Sequence, residues 1–163
     1  MTQTASEIIT ILIWGFVATA ALSGVMFGAQ RLGYSRLSLP FLIGTMFTGD
    51  RASANAAGLL VYLLGGWLFA FVYYFIFASF GRTGWHLGLI LGAVHGFVLL
   101  VMFLPLLPHL HPRMASEYEG PVRGRRLQPP GFLALNYGYR TPLTTIVAHA
   151  LYGLILGARL TLT

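Results

Sequence analysis

The sequence contains no cysteine and no lysine, and only four acidic residues, Glu7, Asp50, Glu117 and Glu119, in 163 positions. The absence of cysteine excludes disulfides, thiolate metal sites and a cysteine nucleophile, and it leaves the redox compartment open. Charged residues make up 9% of the chain against 56% apolar, whereas a water-soluble domain carries about 25% charged residues. Too little polar surface is present to cover a globule in water, so the chain is built for lipid. There is also no G-x-S-x-G, no P-loop, no H-E-x-x-H and no pair of carboxylates inside an apolar run, so nothing in the sequence demands an enzyme.

All ten basic residues are arginine, and the net charge is +6. The arginines sit in short connectors between apolar runs, where membrane lipids with anionic headgroups account for them, and nucleic-acid binding is set aside on that ground.

A helix rising 1.5 Å per residue needs about 20 apolar residues to cross a ~30 Å hydrocarbon core. Four segments meet that requirement, at about residues 8–29, 56–80, 84–104 and 142–160, with connectors at 30–55 and 105–141. The fold class that follows is all-α: a single-domain polytopic membrane protein with four transmembrane helices. Thr4-Ala5-Ser6-Glu7 reads as a capping box opening the first span, Gly33 as its close, and Thr141-Pro142 as the start of the fourth. Pro105 and Pro108 are expected to stop the third. Ala18-Thr19-Ala20 resembles a leader cleavage site, but no Lys or Arg precedes it and the apolar stretch is too long for an h-region, so the first run reads as a span.

Four spans put both termini and the 81–84 turn, with Arg82 and Arg159, on one side. The other side holds Arg31, Arg36, Arg51, Arg113, Arg123, Arg125, Arg126 and Arg140. The positive-inside rule then makes both long connectors cytoplasmic and both termini external, in a bacterial inner membrane. Tyr34, Tyr118, Tyr137 and Tyr139 would lie at the inner headgroups, and Trp14 and Trp85 nearer the outer ones. Weak similarities between the halves suggest a parallel two-plus-two repeat: Val25-Met26-Phe27 recurs as Val101-Met102-Phe103, and each connector holds a proline followed by a short apolar stretch, at Pro40 and Pro130. Those stretches are too short to span and are expected to lie in the interface.

Glycines recur at 84, 88, 92 and 96. Residues four apart share a helical face, so these four form a groove without side chains in which another helix can settle. Gly24 and Gly28 repeat the pattern on the first span, and Gly153 and Gly157 on the fourth. The grooves join the four helices to one another, or one of them faces a partner subunit or a second copy of the chain. His95 and His149 are the imidazoles deep within spans, and an intramembrane ionisable group marks a candidate site by default. Three roles suit them: a hydrogen-bonded structural pair, a polar relay or substrate contact, or the axial ligands of a b-type haem. No cofactor is expected on balance. In the second long connector His109, His111, Glu117 and Glu119 supply enough ligands for a metal, although their spacing fits no standard motif. Arg113, Arg123, Arg125 and Arg126 read as a lipid-headgroup cluster.

His111-Pro112-Arg113-Met114 and the run from Asn136-Tyr137-Gly138 to Thr141-Pro142, set among four hydrophobic helices, resemble an uncharacterised family of small four-helix bacterial integral membrane proteins. The resemblance covers the whole chain, implies no activity and assigns no site residue. The functional expectation is a non-catalytic membrane protein acting in helix packing or as an accessory subunit. A small transporter or channel with a polar path at His95 and His149 is the alternative, and a b-haem electron carrier the third reading.

Overall fold

The computed structural model describes residues 3–116, 120 and 122–162. Helix accounts for 76% of the structure and no strand is present among the described residues, which establishes the all-α class. The elements are α1 (Gln3–Arg31), α2 (Leu39–Phe47), α3 (Arg51–Phe80), α4 (Trp85–Val98), a π-helical turn (Leu99–Phe103), α5 (Leu104–Leu110), a 3-10 segment (Phe132–Tyr137) and α6 (Thr141–Arg159). Four stretches are long and apolar enough to cross a membrane: α1, α3, the continuous Trp85–Leu110 helix and α6.

The helix limits depart from the sequence reading at three places. α1 already includes Gln3, upstream of Thr4, so Thr4 and Glu7 lie inside its first turns and do not form the expected capping box. α3 begins at Arg51 and not near 56, because Asp50 caps it: its Oδ2 accepts from the Ser53 amide at 2.9 Å and its carbonyl from the Ala54 amide at 2.9 Å. Hydrogen bonds to the carboxyl, led by the one from the Ser53 amide, hold Asp50 below its ordinary pKa.

The third departure is at Pro105, which does not end the third span. Proline lacks an amide hydrogen and crowds the preceding turn, which ordinarily kinks or breaks a helix. Here the turn before it widens to π-helix over Leu99–Phe103, with the Leu104 amide donating to the Leu99 carbonyl, and the helix continues through Pro105 and Pro108 to Leu110.

The chain divides into two compact units. The first comprises the residues through Val25, Leu63–Gly96 and those from Ile146 on. It contains the described ends of the chain and the turn after α3. Within it α1 and α3 meet through small residues: a Cβ on Gly15 would lie 2.9 Å from the Ala70 methyl, and one on Gly66 would strike the Thr19 hydroxyl. The Trp67 indole N–H donates to the Leu12 carbonyl at 2.8 Å. Arg159 lies over the Trp14 ring at 4.7 Å, which suits an aromatic residue at a headgroup level.

The second unit comprises Met26–Tyr62 and Phe97–Thr145. It holds both long connectors and eight of the ten arginines. The expected interfacial stretch after Pro40 is α2, capped by Ser38, whose hydroxyl accepts from the Phe41 amide. α2 packs backbone to backbone on the start of α3. A Cβ on Gly44 would run into the Ala54 carbonyl, and one on Gly58 into the Pro40 carbonyl. Neither glycine stands out in the sequence, since the pair belongs to two separate segments. The counterpart stretch after Pro130 is the 3-10 segment, in which Leu133 and Ala134 take left-handed φ of 52° and 57°. Both are non-glycine residues held in an unfavourable region, so the surrounding hydrogen bonds must overdetermine them. The Asn136 amide group donates to the Pro129 carbonyl at 3.1 Å, and the Tyr137 hydroxyl to the Gln128 carbonyl at 2.6 Å.

Candidate functional site

The two histidines inside the membrane-spanning part of the first unit lie together with two tyrosines. His95 on α4 and His149 on α6 face each other edge to face with ring centroids 4.9 Å apart. Tyr73 on α3 brings its hydroxyl to 3.4 Å from His95 Nδ1, and Phe69 stacks on the other side of that imidazole at 4.2 Å. Tyr152, one turn along α6 from His149, packs edge-on against Tyr73 at 5.5 Å and donates its hydroxyl to the Gly66 carbonyl at 2.6 Å. Tyr73, His149 and Tyr152 are all buried. The sequence offers Tyr62, Thr145 and Tyr152 as hydroxyl partners for the two histidines; Tyr152 is in this cluster, whereas Tyr62 and Thr145 belong to the second unit. Tyr73 was not legible in the sequence, because an aromatic run, Phe71-Val72-Tyr73-Tyr74-Phe75, offers no signal of which ring turns inward.

What brings the two histidines together is the glycine pattern. α4 and α6 run antiparallel and touch along their backbones: a Cβ on Gly88 would strike the Gly153 carbonyl, one on Gly92 the His149 carbonyl, and one on Gly157 the Gly84 carbonyl. On Gly96 it would lie 3.1 Å from the His149 Cβ. Gly84, 88, 92, 96, 153 and 157 are therefore consumed in one intramolecular contact. Gly24 and Gly28 behave differently, with nothing within 4 Å of where a Cβ would sit on either.

This geometry tests the haem reading. An iron ligated by both imidazoles has to lie between them with a macrocycle around it. The rings instead touch each other, and the space beside Gly92 and Gly153 is filled by the backbones of the facing helices. The pair as built does not fit a haem. It is a hydrogen-bonded and ring-packed cluster, able to move or hold a proton between neutral partners. Removing one of its bonds has a small cost, since the Gly66 carbonyl is also within a helix: Tyr152→Phe is expected to lower stability by about 0.6 to 1 kcal/mol. Thermal unfolding in detergent checks this, and a loss several times larger means the hydroxyl has further partners.

The residues read as metal ligands do not converge. Among the described residues no group of three His, Asp or Glu side chains is placed to hold an ion. Glu117 and Glu119 lie outside the described residues, as does Tyr118. His109 is exposed on the last turn of α5, whereas His111 is 2% exposed. Both ring nitrogens of His111 are engaged: Nε2–H donates to the Leu42 carbonyl at 2.9 Å, with the Thr45 hydroxyl at 3.2 Å, and Nδ1 accepts the Arg113 amide at 3.1 Å. Only the neutral imidazole makes both bonds.

The expected arginine cluster also separates. Arg113 Nη1 donates to the Thr45 and Met46 carbonyls at 2.8 and 3.3 Å, closing the C-terminal end of α2, where a cation is favoured by the helix dipole. Arg123, Arg125 and Arg126 are exposed, with Val122 and Arg125 joined by a backbone bridge. They are the members of the set left on the surface. Of the aromatic belt, Tyr34 and Tyr139 flank the Arg140 guanidinium at 4.5 and 5.2 Å, while Tyr137 is buried.

Fold and site together define an all-α, multi-pass membrane protein with a ring-packed histidine pair in its spanning region. No family model, no curated protein and no solved structure matches the chain.

Proposed function

We propose that the chain is a non-catalytic integral membrane protein that works through helix packing, as an accessory subunit of a larger membrane complex. The observation that carries this reading is how its intramembrane groups are used. The glycine faces of α4 and α6 close on each other, and the two intramembrane histidines pack on each other and on aromatic rings, with no reactive pair aimed at a substrate among the described residues. Gly24 and Gly28 on α1 are the small residues of the sequence pattern that the chain does not cover, and a transmembrane helix of the complex is the occupant that lipid favours on such a face. Gentle extraction followed by native mass measurement is expected to give a particle heavier than the 17.8 kDa chain, reduced to the single chain by Gly24→Leu. A strictly monomeric native particle overturns the reading.

The same reading seats the protein in a bacterial inner membrane with its termini outside. The support is the arginine distribution, with Arg82 and Arg159 alone in the unit that contains the chain ends. Because cysteine is absent, single replacements report topology directly: Thr161→Cys is expected to react with an impermeant thiol reagent in intact cells, and Arg123→Cys only after lysis.

One observation favours a second reading, a small transporter. His95, His149, Tyr73 and Tyr152 gather four polar side chains inside an otherwise apolar region. Flux into proteoliposomes that is unchanged by His95→Ala and His149→Ala removes it.

A further inference from the structure

The second unit contains a cavity of about 160 Å³ in which Arg36 and Gln128 face Phe41, Leu127 and Tyr137, with Ser38 at the start of α2. A buried water needs only about 10 to 15 Å³ of such space, so the cavity has room for a polyatomic group. Among the described residues that line it, Arg36 is the only cation and none is a carboxylate.

The arginine is held in place from two directions. Its amide donates to the Tyr137 carbonyl at 2.7 Å, and its Nη2 donates to the Asn136 carbonyl at 2.6 Å, with Gln128 Oε1 at 3.5 Å. Nε and Nη1 make no hydrogen bond among the described residues, which leaves single N–H donors on either side of the engaged Nη2 for a ligand. The adjoining backbone is fixed as well, since the Leu37 amide donates to the Ser35 hydroxyl and the Gln30 side chain to the Leu37 carbonyl. Burial pushes the Tyr137 phenol up to about 12, so this wall stays neutral and does not compete with an anion for Arg36. Phe41 and Leu127 make the rest of the wall apolar.

We infer that this cavity binds the phosphate of an anionic phospholipid, with the Arg36 guanidinium on the phosphate oxygens and the glycerol and acyl ends along Phe41 and Leu127. The free N–H groups of a fixed guanidinium make charge-assisted hydrogen bonds to phosphate oxygens, and the apolar wall selects an amphiphile over a free ion. The site, at which Arg36 and Gln128 are themselves exposed, is made of residues other than Arg123, Arg125 and Arg126.

The test uses the whole protein in a neutral detergent, with thermal unfolding read against added dihexanoyl phosphatidylglycerol or inorganic phosphate. The lipid is expected to raise the unfolding temperature saturably, and Arg36→Gln to weaken half-saturation by about tenfold or more. The double variant Arg123→Gln, Arg125→Gln is expected to keep the wild-type half-saturation. Should Arg36→Gln not fold, Leu127→Glu places a carboxylate in the same wall without touching the Arg36 bonds, and is expected to abolish the lipid shift. Equal half-saturation in wild type and in the foldable variant overturns the site. An equal shift from inorganic phosphate overturns the lipid as its ligand.

Discussion

Replacing Gly88 or Gly153 by leucine is expected to leave little folded protein in detergent, with a stability loss of about 3 kcal/mol or more. At both positions the obstruction is a backbone carbonyl of the facing helix and not the end of a flexible side chain, so relief requires the helices to move apart. Moving them apart removes the contact that holds α4 to α6, because in lipid no hydrophobic driving force remains to keep them together. Gly24→Leu on α1 and Gly65→Leu on α3 are the matched controls, since a Cβ on either meets nothing within 4 Å. Both are expected to change the chain's own stability by no more than about 0.5 kcal/mol. Equal losses at Gly24 and Gly153 would mean that the α4–α6 contact is not the one that holds the first unit together.

Lowering the pH from about 8 to about 5 is expected to destabilise the protein, and His111→Gln to flatten that dependence. Burial holds the His111 pKa below its ordinary value of 6.5, and the nearby Arg113 charge adds to this, although the Leu42 hydrogen bond works against both. Between the lowered folded value and 6.5 the unfolded chain binds a proton that the folded chain refuses, so stability rises with pH across that window. The contribution is complete above 6.5 and is lost as the pH falls through the window, with a slope approaching about 1.4 kcal/mol per pH unit. The structural consequence is local: a protonated Nδ1 no longer accepts the Arg113 amide, and the strap that closes α2 through Thr45 and Met46 is released. Glutamine offers a donor and an acceptor without titrating. Unfolding temperatures measured at both pH values for wild type and His111→Gln decide the matter, and identical slopes would assign the pH effect to other groups.

The histidine pair and the connector histidines show how differently the two kinds of candidate were legible. His95 and His149 were marked because a charge-capable group deep in an apolar run is costly, and that cost is visible from composition alone. Their 4.9 Å approach depends on which glycine faces which carbonyl, a matter of register between helices that begin 56 residues apart, at Trp85 and Thr141. His109 and His111 sit two apart and invited a shared role. In the structure one is exposed at the end of α5 and the other is buried against Leu42 and Thr45, because Pro112 and the end of the helix turn them to different surroundings.

What the amino-acid sequence determined by itself was the solvent, the number of helices long and apolar enough to span a membrane, and the concentration of eight of the ten arginines in the two long connectors. Each follows from quantities that add along the chain: apolar length against the thickness of a bilayer, and charge per connector. Only the tertiary structure decided that Gly88 meets Gly153 while Gly24 meets nothing, that Arg113 closes a helix while Arg123 stays on the surface, and that Arg36 lines a cavity. Those outcomes turn on contacts between residues far apart in the chain, within ångströms of each other, and no local pattern carries that distance.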